Sequence, residues 1–407
     1  MAADSRRCDS KVAPAEEAAL QRRADSSTRR RYAGRSLANN GGHLNGDPPD
    51  PALSAAYSSA MPVRVGFLGA GLIATFHSKM LRASGEDVAW AGVWDPEERR
   101  REAFAQASGA DVCSSEEAVL DGCDAVYVCT WTGEHPRLVA AACERGLPVF
   151  CEKPLGVDLR TAEAMASMVR KAGVTNQVGL ILRYSPAFNL VKSLVDDPAS
   201  GRLMSLVYRD DQFIPVQGHY GSTWRGERDK AGSGALLEHS IHDLDIIEHC
   251  LGSVASVSAR SANFHGLDGI EDSVAAVLAF DNGAVGALTS VWHDILERPS
   301  LRRVEIFCEH LYIGLEDDWS GPVWWTCAGE PDRQLAGEEL DDECRARGVF
   351  LGNADGAFIR AVQGREPAWP SFADAVRPHA LADAIYQSAD AGGDAVQLRT
   401  HDAGAGR

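Results

Sequence analysis

From Pro62 onward, apolar and polar positions follow a regular rhythm. Apolar runs at Val63–Leu68, Val88–Trp94, Ala125–Thr130, Pro148–Cys151 and Gln177–Leu182 predict strands. Between them, Leu72–Ala83, a charged segment from Pro96, Glu116–Leu120, Pro136–Arg145 and Leu159–Ala172 carry helical spacing, with a weak strand near Asp111–Cys113. Strands that alternate with helices at this interval build a parallel sheet covered on both faces, so the stretch 61–183 is expected to be a doubly wound α/β domain. After Gly201 the rhythm changes to one helical stretch, Ala235–Cys250, and consecutive β-like runs at Val254–Phe264, Ser273–Phe280, Ala284–Trp292 and Arg303–Phe307. That order predicts a second domain over 184–407, α+β and built on a mostly antiparallel open sheet. Two amphipathic stretches, Ala354–Val362 and Phe372–Ala389, close the chain, and the last is a candidate to pack back on the first domain.

Composition narrows the possible roles. Residues 1–60 hold nine Lys/Arg against seven Asp/Glu and almost no aromatic residue, the profile of a disordered extension. Arg6-Arg7 and Arg29-Arg30-Arg31 are followed by polar sequence and not by an apolar stretch, so an export signal is not expected. The formal net charge of −18 argues against nucleic acid or anionic membrane as a partner. Ten scattered cysteines without a C-x-x-C pair read as free thiols of a reducing compartment. No apolar run reaches the ~20 residues that cross a bilayer, and a cytoplasmic protein is expected.

Gly69-Ala70-Gly71-Leu72-Ile73-Ala74 joins the first predicted strand to the first helix as G-x-G-x-x-A. The first glycine permits the turn, the second admits a pyrophosphate to the backbone, and the small Ala74 lets helix and strand pack, while the amides of Leu72 and Ile73 open the helix toward an anion. Asp95 ends the second strand-like run, where a carboxylate accepts from adenosine ribose hydroxyls and repels a 2′-phosphate; NAD is therefore expected over NADP. Capping of the next helix by Asp95-Pro96 is the competing reading.

Glu152-Lys153-Pro154 follows the fourth run at the carboxyl edge of the sheet, where an ammonium can stabilise a developing alkoxide. In the stretch from Gly232 to Asp245, a helix would place Glu238, His242 and Asp245 on one face, with a carboxylate beside an imidazole suited to general acid–base work. His239 and His242 lack the spacing of a zinc helix, and no metal is expected.

Together these three motifs resemble the Gfo/Idh/MocA oxidoreductases in order and spacing, over about Val63 to Arg399. The resemblance implies an N-terminal Rossmann-type domain and a C-terminal domain whose open sheet often mediates homo-oligomers. It implies Lys153 and His242 as the catalytic pair, with Glu238 in place of the more frequent aspartate. It also implies Thr130 and His135, with Glu152, on the nicotinamide side and Arg183-Tyr184 leading to the substrate side. Trp224 and Tyr184 are candidate sugar-stacking faces, and Asp245 a further substrate contact. The expected activity is hydride transfer between a nicotinamide cofactor and a secondary alcohol of a sugar, cyclitol or related polyol. An NAD-dependent glycoside hydrolase without net redox, and a non-catalytic dinucleotide-binding regulator, are the two alternatives.

Overall fold

Five strands, β1 (Val63–Leu68), β2 (Val88–Trp94), β3 (Ala125–Val128), β4 (Val149–Cys151) and β5 (Asn176–Val178), lie parallel in the order β2-β1-β3-β4-β5. The computed structural model describes Met61–Leu398 except His219, so the expected disorder of residues 1–60 lies outside the described residues. Helices α1 (Leu72–Ala83), α2 (Glu98–Ser108), α3 (Glu116–Gly122), α4 (His135–Glu144) and α5 (Leu159–Ala172) connect the strands. The order reverses between β1 and β3, which opens a crevice beyond their carboxyl ends. The weak strand expected near Asp111–Cys113 is a single bridge from Val112 to Val93, and the helix expected from Pro96 starts at Glu98.

The second half begins with α6 (Pro186–Val195), capped by the Ser185 hydroxyl, and a long strand β6 (Leu203–Phe213). After α7 (Ile241–Leu251) come β7 (Val254–Ala262), β8 (Ser273–Phe280), β9 (Val285–His293), β10 (Leu301–Cys308), β11 (Leu311–Leu315), β12 (Val323–Cys327) and β13 (Arg333–Leu335). Helices α8 (Gly337–Ala346), α9 (Ala354–Val362) and α10 (Phe372–Asp390) and a short β14 (Val396–Gln397) complete it. The nine strands form one sheet, β13-β12-β11-β10-β6-β9-β8-β7-β14, antiparallel except for the β6–β9 pair. β6 escapes the hydrophobic pattern because its second half buries Asp210, Asp211 and Gln212, polar residues made tolerable by partners in the fold.

One face of this sheet packs under α6, α7 and α10 through residues such as Leu190, Leu244, Leu278 and Ile385. The other leaves Met204, Val207, Val277, Val285 and Phe307 exposed. Among the described residues no helix is long and apolar enough to cross a membrane.

The core of the parallel sheet draws on the end of the chain. On one face Tyr127 and Phe150 stack at 4.6 Å, and Phe358 of α9 meets both edge-on. On the other, Phe372 and Ala375 of α10 join Leu138, Met165 and Val178. Two elements beyond residue 350 therefore supply core to a sheet that ends at residue 178.

Phe358→Ala should accordingly lower unfolding free energy by about 3–5 kcal/mol in a denaturant titration. A fragment comprising 62–183 should show no cooperative transition, and a fragment with native-like melting would contradict this account of the core.

Candidate active site

At the end of β1, Gly69 has φ +93°, and a Cβ there would stand 2.5 Å from the Cys129 carbonyl oxygen, so only glycine fits. A Cβ on Gly71 would meet nothing within 4 Å: its backbone faces open space beyond the sheet. No side chain caps α1 and no acidic residue lies in its first turn, where Leu72 is exposed and Ala74 is buried against the strands. Free amides, a positive helix end and an open approach together fit a dinucleotide pyrophosphate. Asp95 is buried at the end of β2, its carboxylate accepting from the Ala70 and Glu97 amides at 2.9 Å each. It thus closes the glycine turn and braces the start of α2, though Pro96 stands ahead of that helix. A carboxylate has about four lone pairs, so capacity for ribose hydroxyls remains.

β4 leads into Glu152-Lys153-Pro154, where the Lys153–Pro154 peptide bond is cis. Glu152, the residue expected on the cofactor side, is buried. Its Oε1 faces His77 Nε2 at 2.7 Å and its Oε2 accepts the Lys153 amide at 3.0 Å, while His77 Nδ1 faces Asp355 Oδ1 at 2.7 Å. Burial would raise the Glu152 pKa, but the hydrogen bond and charge of His77 hold it below the usual range. His135 is likewise buried, with Nδ1 3.1 Å from the Pro154 carbonyl and Nε2 3.3 Å from that of Thr130. It ties two loops together, and burial lowers its pKa. Thr130 itself sits half-buried at the mouth of β3, its hydroxyl 3.4 Å from the Trp131 carbonyl.

The helix expected over Ala235–Cys250 is broken. Ala235–His239 forms one π-helical turn, Ser240 interrupts, and α7 starts at Ile241. The cause lies outside the segment: the Glu271 carboxylate accepts from the Gly234 and Leu236 amides at 2.7 and 2.9 Å, and Tyr386 donates to it at 2.9 Å. The break removes the shared face. Glu238 accepts from Thr132 Oγ1 at 2.7 Å and Arg225 Nε at 2.8 Å, so its carboxylate is committed to those groups and does not orient His242. Its carbonyl accepts from Lys153 Nζ at 2.8 Å.

Asp245 binds the Arg183 guanidinium through two hydrogen bonds at 2.9 and 2.7 Å. Arg183 also lies over the Trp369 ring at 5.0 Å, and the buried Tyr184 donates to the Trp369 carbonyl at 2.6 Å. Arg183, Tyr184 and Asp245 thus form an internal clamp with Trp369. Trp224 packs beside Ile214 and Trp292 with the Arg225 guanidinium 4.5 Å from its ring centre.

His242 stands apart from these networks. Its buried Nδ1 has no hydrogen-bond partner among the described residues. Burial, reinforced by the positive charges of Lys153 and Arg302, pushes its pKa well below the usual value, so the ring is neutral at pH 7. Burial also lowers the Lys153 pKa, against the opposing charge of Glu238. Around the pair, Tyr208 donates to Asp243 at 2.9 Å, Arg302 bonds Asp243 and Asp318, and His239 lies 3.2 Å from Asp210. Burial raises the Asp243 pKa to about 7.

His77, Thr132, Arg225, Glu271, Arg302 and Asp355 escaped the motif reading. For His77 a signal exists: it shares the buried stripe of α1 with Ala74, Ser78 and Leu81, an odd place for an imidazole. The others come from β10, α9 and connecting segments and carry no local signature.

Residues 63–180 match the model of the oxidoreductase family with an NAD-binding Rossmann fold, and residues 188–313 match the GFO/IDH/MocA C-terminal domain. The chain is 32% identical over 233 residues to scyllo-inositol 2-dehydrogenase (NAD(+)) of Bacillus subtilis (strain 168), a stretch covering 55% of this chain and 66% of that protein. It is 31% identical over 232 residues to inositol 2-dehydrogenase of Rhizobium meliloti (strain 1021), covering 55% and 67%. The matched stretch thus spans about two thirds of these relatives' length. Levoglucosan dehydrogenase in complex with NADH superposes with a TM-score of 0.72 over 84% of this chain and 100% of that one, at 21% identity, and so shares the fold. The chain therefore belongs to the Gfo/Idh/MocA oxidoreductase family, with its NAD-binding Rossmann fold over residues 63–180 and its C-terminal domain over 188–313.

Proposed function

We propose that the protein is an NAD-dependent dehydrogenase that oxidises a secondary alcohol of an uncharged cyclitol, sugar or related polyol, reversibly. The observation that carries this reading is the pairing of an unengaged, neutral His242 with the ammonium of Lys153 at the carboxyl edge of the parallel sheet. A bound nicotinamide supplies the hydride acceptor. His242 takes the hydroxyl proton on its imidazole as the carbon is oxidised, and its depressed pKa keeps it ready to do so. Lys153 spends one N–H on the Glu238 carbonyl and has two left to hold the substrate oxygen and offset its developing charge. Glu238, through Thr132 and Arg225, fixes the backbone that receives Lys153.

Charge balance favours an uncharged substrate. Arg225 and Arg302, the guanidinium groups that bear on Lys153, are each matched by carboxylates, Glu238 for one and Asp243 with Asp318 for the other. A substrate carboxylate would meet no unmatched guanidinium from this pair. The apolar solvent face of the nine-stranded sheet, with Met204, Val207, Val277, Val285 and Phe307, supports a homo-oligomer formed through that face. The free thiols of all nine described cysteines accord with a reducing cytoplasm.

An assay of NADH formation on inositols, anhydrosugars, aldoses and their uronic or aldonic acids tests the reading. Neutral polyols should be oxidised with higher kcat/KM than their acids, and a preference for the acids would overturn the charge argument.

Lys153→Met should lower kcat by about 10²–10³ and His242→Asn by about 10²–10⁴, with NAD affinity near that of the parent by calorimetry. In the oxidation direction the parent should keep full activity as pH falls through 6.5, because His242 stays neutral there, and decline only below it; His242→Asn should lack that decline. Parent-level turnover by either variant would refute the two-residue chemistry.

Asp95→Ser should narrow the preference for NAD by removing the carboxylate that repels a 2′-phosphate. Equal kcat/KM with NADP in the parent protein would contradict this role.

A further inference from the structure

His77 is completely buried on the second turn of α1, one turn beyond the glycine motif, and lies between two carboxylates, Glu152 Oε1 and Asp355 Oδ1, each at 2.7 Å. A neutral imidazole has one N–H and could satisfy only one of them; both are satisfied when the ring carries two protons. Burial would push its pKa down, but the charges and hydrogen bonds of Asp355 and Glu152 override this and raise it to about 10. Aromatic rings wall the site, with Phe150 centred 4.8 Å and Tyr127 5.5 Å from the imidazole. On the far side Gly179 approaches so closely that a Cβ there would lie 2.6 Å from Glu152 Oε1. The Glu152 carboxylate has one place to go, and its second oxygen accepts the Lys153 amide.

Buried charges of this kind are a weak source of net stability, since desolvation offsets most of their attraction. What this triad supplies is fixed geometry. It joins three segments, the cofactor helix α1, the turn after β4 and α9, at the residue immediately before Lys153.

We propose that His77 is a positioning residue for the reaction: clamped by Asp355, it holds the Glu152 carboxylate against the Lys153 main chain and so aims the Lys153 ammonium at the Glu238 carbonyl and the substrate oxygen beside it. This rests on the reading that Lys153 acts on that oxygen.

Two substitutions separate the role from mere support of the fold. A Gln amide reaches as far as Nε2 and keeps a donor for Glu152; an Asn amide sits where Nδ1 does and keeps a donor for Asp355. Each leaves one buried carboxylate without its donor, so His77→Gln and His77→Asn should lose similar melting temperature. Their turnover should differ. His77→Asn should fall at least about tenfold below His77→Gln in kcat, with KM for NAD within about twofold between the two. Equal kcat in the two variants, or parent-level kcat in His77→Asn, would overturn the proposal. If the histidine variants do not fold, the same comparison is made with Glu152→Met, which removes the brace, and Asp355→Asn, which leaves it. The first should cost at least about tenfold more kcat than the second, and equal losses would again overturn it. Lys153→Met at parent turnover would remove the functional reading beneath this inference. An inactive Lys153→Met together with equal histidine variants would remove this inference alone.

Discussion

Glu238 is where the parallel sheet and the antiparallel sheet are joined at the proposed reacting centre. Its carboxylate takes Thr132 from the loop after β3 and Arg225 from the loop after β6, and its carbonyl takes the ammonium of Lys153 from the turn after β4. A carboxylate only 2% exposed is tolerable because both oxygens accept hydrogen bonds, and removing Arg225 would leave its charge unmatched, typically about 3–5 kcal/mol. The π-helical turn that carries Glu238 exists for the same end. Glu271 holds its first amides, Tyr386 holds Glu271, and the turn delivers a carbonyl to Lys153 in place of an ordinary helical bond.

The acidic character of the chain is not repeated at the site. Buried charges there come in matched sets: Asp355 and Glu152 about His77, Glu238 against Arg225, Asp243 and Asp318 against Arg302, Asp245 against Arg183. Each set immobilises a segment, and between them they leave His242 Nδ1 without a partner among the described residues and Lys153 with donors to spare. Local order therefore comes from the ion pairs, and the two groups left outside them are the ones proposed to react. The aromatic and aliphatic cores hold the elements that carry these sets, and α9 serves both purposes, placing Phe358 under the sheet and Asp355 on His77.

Repeating local patterns were legible without any structure. β1, α1, β2, α5, β8 and α9 fall on the residues their hydrophobic periodicity marks, because each buries a face whose spacing depends only on its own geometry. The glycine turn and the placement of Lys153 at a strand end were legible for the same reason: φ, turn and strand edge are local properties. Strand β6 and helix α6 were not. β6 hides its polar residues behind partners such as Ser240 and His239, and so breaks the alternation that identifies a strand. Side-chain roles were beyond local reach as well. Spacing put Glu238, His242 and Asp245 on one helical face, but Glu271, thirty-odd residues on, bends the turn, and Glu238 meets Thr132 and Arg225 while Asp245 meets Arg183 and His242 meets neither carboxylate. Periodicity and turn chemistry settle where an element lies; which carboxylate meets which cation is settled by long-range packing, since a buried charge must find a counter-charge wherever the folded chain brings one within reach.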